Sequence, residues 1–197
     1  MEENKLDIKK EIISFIKTLV LSFLAVYLFN TFILRPVRVQ GDSMYPNLKD
    51  KEYGLSSVFN LRTEGINRFD VVIVYVPETK DYLVKRVIGL PNETISFKNN
   101  ELYVNNELVE ETFLDKEKYI TNDFEVLVPE GSYFCMGDNR PVSKDSRYYG
   151  SFKTDQIKCK DVYLIYPFSE IGRKVEWDKF NGSLVIWPRQ NGRWKHH

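Results

Sequence analysis

A serine set in a flexible turn, Gly41-Asp42-Ser43-Met44-Tyr45-Pro46-Asn47-Leu48, is the first place along the chain where chemistry could be done. Such a hydroxyl is a weak nucleophile until a neighbouring base takes its proton. Histidine cannot be that base inside the domain. The only two are His196 and His197 at the extreme C-terminus, where a tag remnant also explains them. Composition thus excludes a Ser-His-Asp triad and a histidine-rich metal site. Lysine is the best remaining base near neutral pH, provided burial disfavours its charged form. Lys85 stands in Tyr82-Leu83-Val84-Lys85-Arg86-Val87-Ile88-Gly89-Leu90-Pro91, whose apolar members could supply that burial. Two further segments stand out: Arg68-Phe69-Asp70-Val71-Val72, and a polar run through Met136-Gly137-Asp138-Asn139-Arg140 to Pro141-Val142-Ser143-Lys144-Asp145-Ser146-Arg147. Taken singly, each also has an ordinary reading. Ser43 suits a turn, Lys85 a solvated strand position, and Asp138-Asn139-Arg140 a hydrogen-bonded loop.

Something must hold these residues. Residues 12–34, IISFIKTLVLSFLAVYLFNTFIL, carry no charge from Thr18 to Leu34, and Lys17 can snorkel. At about 1.5 Å per residue these 23 residues reach roughly 34 Å, enough to cross a bilayer. Bulky residues follow the apolar run where a cleaved leader needs small ones, so the expectation is an uncleaved transmembrane helix. Lys5, Lys9, Lys10 and Lys17 precede its core and Arg35 and Arg38 follow it. The positive-inside rule then places residues 1–11 in the cytoplasm and the rest outside. From 35 to 172 the chain changes to short β-rich runs between turn signals, at 70–76, 81–89, 93–98, 102–104, 124–128, 133–136 and 160–166. Asn99-Asn100-Glu101 reads as a hairpin turn. No long helical period occurs in 40–172. The predicted architecture is mostly β: one antiparallel domain behind one N-terminal helix, with residues 173–197 as an extension of uncertain structure.

Twenty-eight basic residues balance 28 acidic ones, so nothing points to nucleic acid. Cys135 and Cys159 lack CxxC spacing, which excludes a zinc knuckle or thioredoxin-like site; two separate buried thiols are expected.

Jointly, and in this order, the four segments resemble bacterial type I signal peptidases, nearest to the short Gram-positive-type members. The resemblance runs from the anchor to about Gly172. GDSMYPNL looks like the family's nucleophile motif, YLVKRVIGLP its base motif and MGDNRPVSKDSR its closing motif. It implies a signal-peptidase-like fold, with Ser43 as nucleophile and Lys85 as general base. Ser143 would hydrogen-bond and orient the Lys85 amine. Asp145 and Arg147 would pair behind the site, and Asp138, Asn139 and Arg140 would shape the same loop. The Ser43 backbone N–H would be one oxyanion donor. Gly41 occupies the position where some members carry a serine that completes the oxyanion hole, which leaves the second donor unassigned. Asn47 replaces a usual threonine, and Asn92-Glu93 a usual Gly-Asp; Asn92 tolerates positive φ, which keeps that turn. Two walls, about Val37–Gly41 and Asp81–Val84, would bind an extended substrate. Val37, Val39, Met44, Leu48, Leu83 and Val84 are the candidate substrate contacts, and Val39, Met44, Leu48 and Val84 would make the first pocket shallow and apolar. No metal or organic cofactor is implied. The partners implied are exported preproteins, the lipid bilayer and the nearby export machinery. Three rival readings are a specialised peptidase for pilus subunits, a silent membrane scaffold of the same fold, and a Ser/Lys autoprotease related to self-cleaving repressors. The last lacks its DNA-binding segment here.

Overall fold

The computed structural model describes residues 2–174. Its first element is helix α1, Glu2–Phe32. Within it, Ile8–Phe32 is long and apolar enough to cross a membrane, and none of its most apolar stretch is buried by the rest of the protein. The helix departs from the expected 12–34 at both ends. The charged lead-in joins it, and Leu34 leaves it, because Pro36 disfavours helical backbone at Arg35. Leu34–Arg38 is instead strand β1, so only Ile33 separates the apolar helix from the sheet.

Strand β1 pairs antiparallel with β2, Tyr53–Ser57, in the register Leu34↔Ser57 to Arg38↔Tyr53. A short helix, α2 (Val58–Glu64), follows at once, capped by the Ser57 hydroxyl accepting the Asn60 N–H at 2.9 Å. Then come β3 (Val71–Val76) and β4 (Asp81–Gly89). The strands β5 (Thr94–Lys98), β6 (Glu101–Val104), β7 (Glu107–Val109) and β8 (Phe124–Leu127) form a four-stranded sheet ordered β7-β6-β5-β8. After β9 (Ser132–Met136), helix α3 (Ser146–Tyr149), β10 (Phe152–Lys153) and β11 (Ile157–Tyr166), the larger sheet is complete. It has seven strands ordered β1-β2-β11-β3-β4-β9-β10, all antiparallel.

The expected β-rich class is the one observed, divided between two sheets. Each long β-branched run is a strand within a residue or three of its expected ends. The Asn99-Asn100 turn has φ of 53° and 63° at its two central residues, the positive values a tight two-residue hairpin needs. Asn105 and Asn106, at φ 50° and 69°, repeat the device between β6 and β7. The small sheet packs Ile95, Phe97, Leu102 and Val104 onto Ile88, Phe134 and Met136 of the large one, so one apolar core joins them.

One consequence of register matters for the site. β4 pairs with β3 along Asp81–Arg86, but with β9 only from Arg86 to Gly89. The outer edge of Asp81–Lys85 is therefore open, as is the outer edge of β1, which ends the sheet. Arg173 is tied down by Glu52 at 3.3 Å and Glu170 at 2.9 Å. The rest of the 173–197 stretch, with Trp177, Trp187, Trp194, His196 and His197, lies outside the described residues beyond Lys174.

Candidate active site

The Ser43 turn hangs from the end of β1. Gly41 bends it at φ +76°, with its N–H donated to Asp50 Oδ1 at 2.9 Å. The turn is held from below by its own apolar residues. Val39, Met44 and Leu48 are buried with Val71, Val162 and Leu164, and Val84 of β4 packs against them. Burying these three side chains leaves Ser43 itself only partly covered.

Lys85 meets it from β4. Its side chain is 2% exposed, and Nζ donates to Ser43 Oγ at 2.8 Å. Loss of hydration pulls the ammonium pKa down to about 8, against the opposing pull of the Asp145 and Asp138 carboxylates. Once deprotonated, the same nitrogen can accept the hydroxyl proton across the same contact.

The loop after β9 closes the site from the other side. Asn139 donates its N–H to the Ser43 carbonyl at 3.0 Å. Gly137 has no room for a side chain, since a Cβ there would collide with both the Ser143 hydroxyl and the Ser43 carbonyl. Its N–H goes to Asp145 Oδ2 at 3.0 Å. Burial alone would raise the Asp145 carboxyl. The Arg147 guanidinium, at 2.8 and 2.9 Å, and the Gly137 N–H hold it below the ordinary range instead. Asp145 also caps α3 by accepting the Arg147 N–H at 3.2 Å. Arg147 in turn donates to the Arg140 carbonyl at 2.7 Å, so the expected Asp145–Arg147 pair also fastens the loop's start to its end.

The structure brings Ser43, Lys85, Gly137, Asn139 and Asp145 together, but one expected contact is absent. Ser143 does not hydrogen-bond Lys85. Its hydroxyl is buried against Gly137 and lies toward Asp145, whose carboxyl it helps hold low without a well-formed hydrogen bond, while the lysine amine points to Ser43. The candidate substrate contacts also divide. Val37 and Val84 line a groove of about 360 Å³ between β1 and β4, with Ile73 among its other lining residues. Val39, Met44 and Leu48 lie beneath the Ser43 turn. Leu83 is not with them. Alternation along β4 sends it to the opposite face, where it packs with Val72, Val74, Val76 and Val87.

Four structural features had no reading from sequence. Arg86, fully buried beside Lys85, grips Asp138 with two hydrogen bonds of 2.8 and 2.7 Å and reaches the Phe69 carbonyl at 3.0 Å. Asn47 donates to Asp138 at 2.8 Å and to the Phe113 carbonyl at 3.1 Å. Glu111 pairs with Arg140, which also donates to the Thr121 hydroxyl at 3.1 Å. Gly137 is the fourth. A buried arginine on a strand leaves no mark in the alternation pattern. An asparagine where threonine is usual was the one visible hint of a local rewiring. Among the described residues no cluster of three or more His, Cys, Asp or Glu is placed to hold a metal, and the two cysteines are free and buried.

Known proteins align with this chain over most of its length. The family described as signal peptidase, peptidase S26, matches residues 12–166. Signal peptidase IB of Staphylococcus aureus (strain COL) is 37% identical over 179 residues, covering 82% of this chain and 93% of the relative. Signal peptidase I S of Bacillus subtilis (strain 168) is 38% identical over 184 residues, covering 87% and 98%. The crystal structure of a signal peptidase I from Enterococcus faecalis V583 superposes with a TM-score of 0.46 at 36% identity, over 48% of this chain and 95% of that one.

Proposed function

The chain belongs to the signal peptidase family, peptidase S26, and from that footing we propose that it removes N-terminal signal peptides from exported preproteins through an acyl-enzyme on Ser43. The observation that carries the mechanism is the buried Lys85 amine 2.8 Å from the Ser43 hydroxyl. Neutral Lys85 takes the hydroxyl proton as Ser43 Oγ attacks the scissile carbonyl, and the resulting ammonium returns the proton to the leaving amine. The Ser43 N–H faces the oxygen that becomes negative. Water then hydrolyses the ester, with Lys85 again as base. Asp138, Asn139, Arg140, Asp145 and Arg147 keep the closing loop against the Ser43 turn. Ser143 supports the amine in its charged form.

The substrate binds as a strand between the two open edges, β1 through Gly41 on one side and Asp81–Val84 on the other. Strand addition supplies affinity and the alternate side chains enter the apolar floor. α1 crosses the cell membrane once, with the N-terminus cytoplasmic and the catalytic domain outside, close to the export machinery. The excess of lysine before the helix core supports this orientation. Anchoring enzyme and precursor in one bilayer raises their effective concentration.

The test is incubation of the purified protein with a preprotein in detergent, followed by mass mapping of the products. A single cut after an Ala-sized residue, absent in Ser43→Ala, is expected. A product of the same mass from the Ser43→Ala protein would overturn the serine mechanism.

A further inference from the structure

The helix α2 plays no part in the chemistry, yet it is docked onto the last turn of α1. The N–H groups of Val58 and Phe59 both reach the Ile33 carbonyl, at 2.9 and 3.3 Å. The Arg62 guanidinium lies over the Phe32 ring, 5.0 Å from its centroid. While Val58 is buried, Phe59 is 56% exposed, and it continues the exposed apolar surface of Phe29, Phe32 and Ile33. On the inner side Glu64 is bound to Lys160 at 3.2 Å. Arg62 and, one strand away, Arg35 have no carboxylate partner among the described residues. An exposed aromatic beside arginines that no carboxylate neutralises, at the level where an apolar helix ends, is the chemistry of a membrane–water boundary.

We propose that α2 lies in the outer surface of the bilayer, with Phe59 among the upper acyl chains and Arg62 on lipid phosphate. This rests on the reading of α1 as a membrane span. The occupant of the exposed face is phospholipid, because that face is continuous with the surface α1 already gives to the membrane. Two points of attachment then fix the tilt of the catalytic domain against the bilayer. A single helix would leave that tilt free. The groove between β1 and β4 is thereby held facing a substrate in the same bilayer.

The native thiols Cys135 and Cys159 are buried, so a cysteine added to the full chain can be labelled selectively with an environment-sensitive dye. The dye is placed at Phe59→Cys, at Val20→Cys in the span, and at Leu108→Cys on the exposed second sheet. The protein is then reconstituted into vesicles of neutral or anionic phospholipid. Emission from position 59 should be blue-shifted relative to 108. It should be lost with quenchers carried high on the acyl chain, while position 20 responds to deep quenchers. A dye at 59 as water-exposed as at 108 overturns the proposal. So does shielding at 59 that grows with protein density and ignores lipid quenchers, which would mean a second copy covers the face. A water-exposed position 20 would instead bring down the reading of α1, and the proposal with it. In a second arm, Phe59→Ser combined with Arg62→Gln should cut a membrane-inserted preprotein several-fold more slowly. The same variant should cleave a short soluble peptide in detergent at the parent rate. Equal losses on both substrates would assign α2 a structural role only and overturn its contact with lipid.

Discussion

In the proposed mechanism Lys85 is two things at once, a buried side chain and a base. Free lysine titrates near 10.5, and here burial brings it to about 8. Cleavage of a short peptide should rise with pH through one ionisation near 8. Lys85→Arg should be inactive throughout, since guanidinium keeps its proton. Stability carries the same signature. The unfolded chain holds the proton up to about 10.5 and the folded chain only to about 8, so between them the unfolded state binds more protons and stability rises with pH. Below pH 8 the penalty is complete, on the order of 3 kcal/mol. Lys85→Met should remove it, leaving a dead protein more stable near pH 7, with a flatter dependence up to 10.5. Parallel unfolding curves for parent and variant across that window would show that Lys85 is not desolvated in solution. Ser143 is the second residue-scale question. Folding gives its hydroxyl no well-formed hydrogen bond, only a weak one toward Asp145, so Ser143→Ala should cost under about 1 kcal/mol of stability. It should nonetheless lower kcat with KM little changed, because the hydroxyl is proposed to aim the Lys85 amine at the chemical step rather than to hold substrate. A change confined to KM would make Ser143 a binding residue.

The closing loop, rather than any one residue, decides whether Ser43 and Lys85 meet, and it is built from three arginines. Arg86 holds Asp138 with both side chains essentially excluded from water. Arg86→Met strands a buried carboxylate, and the expected loss is about 3–5 kcal/mol of unfolding free energy, with activity lost. Arg86→Met paired with Asp138→Leu should recover much of the stability and none of the turnover. Denaturant titration in detergent separates these outcomes. Gly137→Ala should also inactivate, because the loop must back away from the Ser43 carbonyl to admit a methyl group. This level was only half legible in the sequence. The strands with β-branched runs, such as Val71–Val76, announce themselves by pattern. β1 does not, because its leucine ends an apolar run that reads as membrane helix, and only Pro36 betrays the change. β2, β7 and β10 are too short or too polar to show alternation, and α2 and α3 are too short to show a period. Ser43 and Lys85 stood out through their motifs and through the absence of histidine. The network that seats them did not, since Arg86 and Glu111 look like solvated residues until the fold buries them, and Arg140, expected in the loop, gave no sign of its partner. Leu83 and Val84 show the converse limit: adjacency on a strand puts neighbours on opposite faces.

At the scale of the whole molecule, the large sheet joins the apolar helix α1 to the candidate active site directly. β1 is both the continuation of α1 and one wall of the groove, and Ile33 is the only residue between them. There is no slack tether. Five residues of strand reach roughly 17 Å, so with α1 spanning the membrane as proposed the serine is expected to stand about that far above the lipid. A precursor lying beside β1 must cover about the same height in extended form, so roughly five polar residues must separate its apolar helix from the bond to be cut. Precursors in vesicles with that stretch shortened to two should be cut many-fold more slowly, even with an ideal alanine at the cleavage position. Lengthening it by a few residues should cost little, since spare chain can loop. Equal rates across the short series would show that the domain stoops toward the membrane. With a rigid junction, the enzyme should gauge a plumb height as well as read side chains, and should pass over good cleavage motifs that lie too near the bilayer.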